Sequence, residues 1–166
     1  MKRTLIATIV MMICSGCLVS YKFNGASIDY TKTKSITINE FPNYAPLVYT
    51  PLTIQLNDAI ANKFAQQTRL NIVRNGGDLQ LDGEITGYQL AATAIGADNR
   101  ASENKLTLTV KIRFVNNVTG DEIENQFSAY RTFSSSSTLN DVQDGLISEL
   151  VEEIVDQIFN ATVANW

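Results

Sequence analysis

The 166-residue chain contains no histidine, and its two cysteines, Cys14 and Cys17, both lie close to the N-terminus. Without histidine the commonest general base is missing. If the chain is cut before Cys17 and acylated there, no thiol remains as a nucleophile or for a disulfide. There is no Lys/Arg-rich block, and 17 acidic side chains outnumber 13 basic ones, which argues against nucleic acid as a partner. No apolar run approaches the roughly 20 residues that a membrane-spanning helix needs. Internal repeats and low-complexity tracts are absent too, so solenoid and array architectures are excluded.

What is present begins at the N-terminus. Lys2 and Arg3 precede the apolar run Leu5 to Ile13, and Ser15-Gly16 place small residues just before Cys17. This resembles a bacterial lipoprotein signal, with residues 1–16 as the signal peptide and Cys17 as the lipidated N-terminus. Cys14 stands where such signals usually carry leucine. An ordinary cleaved signal that leaves a free thiol is the competing expectation. Residues 17–30 then form the lipidated N-terminus and tether, and residues 31–166 a single domain. Two acyl chains suffice for stable anchoring, each buried methylene contributing about 0.8 kcal/mol. Losing Lys2 and Arg3 leaves 11 basic and 17 acidic side chains, a net charge of −6.

Hydrophobic periodicity orders the rest. Ser35 to Glu40 alternates as a strand, and Pro42, Asn43 and Pro46 mark a loop. Thr50-Pro51 opens a helix whose stripe is Leu52, Leu56, Ile60 and Phe64, leaving Asn57, Asn62 and Gln66 wet. After the turn Asn75-Gly76-Gly77-Asp78, residues Leu79, Leu81, Gly83, Ile85 and Gly87 are expected inward, with Asp82, Glu84, Thr86 and Tyr88 outward. Ala91 to Ser102 reads as a loop. Leu106, Leu108, Val110, Ile112 and Phe114 alternate with Lys105, Thr107, Thr109, Lys111 and Arg113. A hairpin turn at Asn116 to Asp121 leads to a strand marked by Ile123, Phe127 and Phe133. Thr138, with Asp141 three residues on, caps the longest helix, whose wide stripe runs from Leu139 to Phe159 and reads as core. These elements predict an α+β two-layer sandwich: a mixed four-stranded sheet packed against two helices on one face. The order is strand-helix-strand-strand-strand-helix. The first helix should make a right-handed crossover between parallel strands, and the outer sheet face should stay open.

This layout resembles the LptE family of lipopolysaccharide-assembly lipoproteins, most closely its Bacteroidetes-type branch. The resemblance rests on Ile28 to Phe41 leading into the first helix, on Gly77-Asp78-Leu79-Gln80-Leu81-Asp82-Gly83-Glu84-Ile85-Thr86-Gly87-Tyr88, on the following strand and terminal helix, and on Ala164-Asn165-Trp166. It implies a non-enzymatic protein without cofactor. Such a protein is lipid-anchored in the outer membrane, faces the periplasm, plugs and helps to fold the LptD β-barrel, and contacts lipopolysaccharide. A periplasmic lipid-binding carrier lipoprotein is the alternative, and it would need a deep apolar cavity between helices and sheet.

No catalytic or metal-binding constellation stands out. Asp82 and Glu84 share one strand face, but the natural hairpin register sets them opposite Arg113 and Lys111, as stabilising cross-strand pairs. Asp121, Glu122 and Glu124 read as a solvated hairpin end. Lys105, Lys111 and Arg113 form the densest basic set; they either contact lipid phosphates or complete a salt ladder with Asp82, Glu84, Glu122 and Glu124, with Lys105 the least neutralised. Tyr88, Thr107 and Tyr130 join them as expected exposed contacts, since tyrosine combines apolar area with a polar tip.

Overall fold

The computed structural model describes residues 28–95 and 101–164; Cys17 and the proposed signal peptide and most of the tether lie outside them. Strand β1 (Ser35–Ile38) leads to helix α1 (Thr50–Gln67), and strand β2 (Asn71–Ile72) follows. Strands β3 (Leu79–Ile95), β4 (Ala101–Asn116) and β5 (Asp121–Ser134) form a meander. Helix α2 (Leu139–Phe159) then runs into a π-helical turn at Asn160–Ala164. The strands make one open sheet in the order β2-β1-β3-β4-β5. It is mixed, because β1 pairs in parallel with both β2 and β3 while the meander is antiparallel. The sheet therefore has five strands and not four. The extra one, β2, is two residues long and too short for alternation to reveal.

Each helix buries the stripe its sequence carries. Leu52, Leu56, Ile60 and Phe64 of α1 are fully buried, as are Leu150, Ile154 and Ile158 of α2, in one core with Leu81, Ile85, Leu108 and Val110 of the sheet. The Phe64 and Phe159 rings meet edge to face at 5.4 Å between centroids. Beside them Lys63 Nζ lies 2.7 Å from Asp156. Asn57 is not simply wet: its Oδ1 accepts the Phe41 N–H at 2.8 Å and its Nδ2 donates to the Thr53 carbonyl at 2.8 Å. At the start of α2 the Asp141 carboxylate accepts the Thr138 N–H at 3.3 Å and the Thr138 hydroxyl at 2.6 Å, so the expected capping box forms.

Two glycines permit close approach. A Cβ on Gly83 would collide with the edge of the Phe41 ring, and one on Gly77 would meet the Thr37 backbone nitrogen at 2.5 Å. The Gly-Asp-Leu sequence is thus a junction. Gly77 presses on β1, while the Asp78 carboxylate accepts the Lys34 and Ser35 N–H groups at 2.8 and 3.0 Å and the Ser35 hydroxyl at 2.9 Å. These donors hold the Asp78 carboxyl below its ordinary range.

The expected parity of β3 fails halfway along. Ile85 pairs with Val110 and Gly87 with Thr109, leaving Thr86 as an extra residue, a β-bulge. Because side chains alternate with period 2, one extra residue turns the side chains that follow it, as far as the next irregularity after Ala92, to the other face. Tyr88 therefore points inward and is fully buried instead of exposed, and Gly87 faces out. The expected loop at Ala91 to Ser102 is also largely strand. Pairing continues through Gln89↔Thr107 and Ala91↔Lys105 to Ile95↔Ala101, because the ladder outweighs the weak strand preference of alanine.

Candidate partner and lipid interface

The open face of the sheet is built by the outward residues of β3, β4 and β5, and it divides into two ends. Near the β4–β5 turn the charged groups neutralise one another. The sheet register places Asp82 opposite Arg113 and Glu84 opposite Lys111, as the hairpin reading expects. The side chains pair otherwise, with the opposite neighbour strand. Arg113 grips Glu122 through Nε at 2.5 Å and Nη2 at 3.0 Å, and Lys111 Nζ lies 3.2 Å from Glu124 Oε2. Both partners are diagonal, within reach of long side chains across one strand spacing. The Arg113 guanidinium holds the Glu122 carboxyl below its ordinary range. Asp82 accepts instead from Asn39 Nδ2 at 2.5 Å and Gln80 Nε2 at 2.9 Å. Two of the three candidate cations are thus committed to carboxylates.

The other end differs. Lys105 has no ion pair among the described residues; its Nζ sits 5.4 Å from the centroid of the Tyr130 ring. Tyr130 pairs with Thr107 across the strands and is 61% exposed. A cation over an aromatic face is attracted by the ring quadrupole and keeps its charge available to an anion. So the structure gathers Lys105, Thr107 and Tyr130 at one end, sets Lys111 and Arg113 in the salt ladder, and removes Tyr88 from the surface. The Tyr88 hydroxyl accepts from Gln143 Nε2 at 2.6 Å inside the core, and burial pushes its pKa up.

Arg131 was not singled out by sequence. It points to the helix side from β5 and binds Glu149 and Glu153 of α2, each at 2.7 Å. The signal was available: Arg131 shares the parity of Phe127 and Phe133, an inward position where a charge needs a partner.

An apolar cleft of about 240 Å³ lies at one end of the core. Ile28, Leu79, Phe114, Val118 and Val163 line it, with Asp29 and Lys32 at its rim. It does not run between helices and sheet, where side chains of both layers fill the space. No three metal-ligating side chains gather among the described residues, and no helix there is long and apolar enough to cross a membrane.

Known structures share this architecture. A minor lipoprotein from Acinetobacter baumannii superposes with a TM-score of 0.55 at 16% identity, covering 80% of this chain and 94% of that one. Rare lipoprotein B from Shewanella oneidensis gives 0.54 at 13% identity, covering 76% and 90%. A lipoprotein B from Nitrosomonas europaea gives 0.51 at 15% identity, covering 76% and 79%. At such identities the likeness is one of fold. No curated protein matches the sequence. Residues 33–162 match the family described as LptE, lipopolysaccharide-assembly, and with most of its length matched the chain belongs to that family.

Proposed function

We propose that this LptE-family chain is an outer-membrane lipoprotein, anchored through acylated Cys17 and facing the periplasm. In this reading it assists assembly of an LptD-type β-barrel, plugs it, and contacts lipopolysaccharide during insertion. Family membership supports a role in lipopolysaccharide assembly, and the LptE family is a non-catalytic lipoprotein family. That match over residues 33–162 is the observation that carries the reading. The two ends of the outer face agree with it. Lys105 beside the exposed Tyr130 ring, with Thr107, offers an available cation and aromatic area to an anionic partner. Lys111 and Arg113 would serve by keeping the other end neutral.

The carrier alternative draws on the apolar cleft beside Ile28 and Val163. Its volume of about 240 Å³ is below the 300–1,000 Å³ of most ligand pockets, so a whole amphiphile would not fit. One experiment separates the two. The tagged, lipidated protein is extracted from membranes in mild detergent and its companions are identified by mass spectrometry. Recovery with an LptD-type barrel supports the plug reading. A monomer carrying a single lipid contradicts it. In the same preparation, mass spectrometry of the N-terminal peptide should show acylated Cys17, and Cys17→Ala should release the chain from the membrane.

A further inference from the structure

We propose that the distal half of β3 is a strand-addition site, and that it pairs with an extended, uncharged segment of the barrel protein. This rests on the barrel reading above and adds which surface makes the contact and by what chemistry.

The backbone supplies the first argument. On its β1 side, β3 pairs with β1 as far as Leu81 and with the following loop at Ile85, whose N–H donates to the Pro42 carbonyl and whose carbonyl accepts the Tyr44 N–H, each at 2.9 Å. Beyond Ile85 nothing pairs with that edge among the described residues. The Asn117 N–H donates to the Asp78 carbonyl, so the odd residues of β4 face β3. Gly87 and Gln89 pair with odd residues Thr109 and Thr107 and point into the ladder. Tyr88, Leu90 and Ala92 consequently aim their N–H and C=O groups at the open edge. Such a row is a ready template for another strand.

The second argument is the surroundings. No charged residue occurs between Phe41 and Asn57, nor between Ile85 and Ile95, in a chain that is acidic overall. Natural edges are usually blunted with charge or proline, and this stretch of β3 has neither. Beside it, the loop held by Ile85 and by the 2.6 Å bond from Tyr49 to Asp144 exposes Tyr44, Leu47 and Val48. Leu90, one inward step past Tyr88, is 45% exposed. Exposed apolar residues this concentrated mark an interaction surface. Its lack of charge fits an uncharged partner segment. The wall of a closed barrel has no free edge, which points to a barrel loop as the segment.

The test compares variants of the full lipidated chain for co-purification with the LptD-type barrel. Leu90→Pro removes one edge-facing N–H, which a free edge tolerates in the unbound fold. Leu90→Val keeps that N–H, and Val48→Glu puts a charge on the patch. A photo-cross-linker at Val48, with Lys111 as the control site, gives an independent readout. Expected are an at least tenfold loss of barrel for Leu90→Pro and Val48→Glu, near-wild-type recovery for Leu90→Val, and cross-linking from Val48 to a barrel loop. Wild-type recovery of all three variants, with cross-links from Lys111 alone, overturns the inference while leaving the barrel reading intact. Absence of any barrel with the unaltered chain overturns both.

Discussion

One strand, β3, carries two environments that meet at Thr86. From Leu79 to Ile85 it lies between β4 and β1 with the loop that follows β1, its inward side chains are buried or sit under Phe41, and its outward Asp82 carboxylate is held by Asn39 and Gln80. From Gly87 to Ile95 it has β4 on one side and an open edge on the other, and its sequence is uncharged. The proximal half is a structural joint. The distal half offers backbone groups, exposed Leu90 and, on the adjacent outer face, Lys105 beside Tyr130. The lesson is that a binding region can be set apart by one extra residue, because the bulge changes which side chains the core takes.

The strongest way to break this division is to delete Thr86. Both halves would then share one parity, so either Tyr88 and Leu90 turn outward or the inward set Leu79, Leu81 and Ile85 does. Losing a buried aromatic alone costs about 3–5 kcal/mol, and chemical denaturation should report a loss of at least that size. A deletion variant within about 1 kcal/mol of the parent, on the scale of a surface change, would show that the bulge does not set the register.

A subtler change sharpens the same point. Tyr88→Phe keeps the ring but leaves the buried Gln143 amide without its 2.6 Å acceptor, at a cost of about 1–3 kcal/mol. Adding Gln143→Leu should recover most of that loss, because both polar partners are then gone. If Tyr88→Phe is neutral, the buried hydroxyl is not what fixes the distal half against α2.

The two halves differed in how plainly the sequence announced them. Alternation from Leu79 to Ile85 and from Leu106 to Phe114 placed the hairpin register correctly, down to Asp82 opposite Arg113. The Thr138 cap and both helical stripes were equally plain, because a periodic apolar face survives many local exceptions. The bulge was not, since threonine is an ordinary strand residue. Its trace is a phase change: Ile85 belongs to the odd series, Tyr88 and Leu90 to the even one. The small residues after Leu90 carry no alternation, so the strand they form is set by its neighbour. Side-chain choice on the open face was legible in part: the salt ladder included Glu122 and Glu124, but register alone does not say that the long side chains of Lys111 and Arg113 select these diagonal partners over Asp82 and Glu84. Family membership was legible through Gly77-Asp78-Leu79, though the reason for that sequence is visible only in the clamp Asp78 makes on Ser35.

That clamp gives a pH-dependent contrast confined to the proximal half. The Asp78 carboxyl is held below its ordinary value of 3.8 chiefly by the Lys34 N–H and then by the Ser35 hydroxyl. A carboxyl depressed in the folded state contributes stability that is fully present above 3.8 and is lost as pH falls through its folded value. Asp78→Asn should therefore lower stability at neutral pH and flatten its fall below pH 3.8, as read from denaturation midpoints. An unchanged acid profile would remove Asp78 from the account.

The smallest expected effect lies in the salt ladder. Lys111→Met should change stability by no more than about 1 kcal/mol, as for other exposed pairs, and leave barrel recovery unchanged. A large loss of barrel in that variant would move the binding region to the charged end.

Residue-resolved hydrogen exchange of the purified protein, alone and in complex with the barrel, tests the comparison most directly. In the free chain the Gln89 amide, bonded within the β3–β4 ladder, should exchange slowly, whereas the Leu90 and Ala92 amides should exchange fast. In the complex the Leu90 and Ala92 amides should become protected by at least tenfold while those of the Lys111–Arg113 region stay as they were. Protection that appears around Lys111–Arg113 and leaves Leu90 and Ala92 fast would contradict the assignment of binding to the distal half of β3.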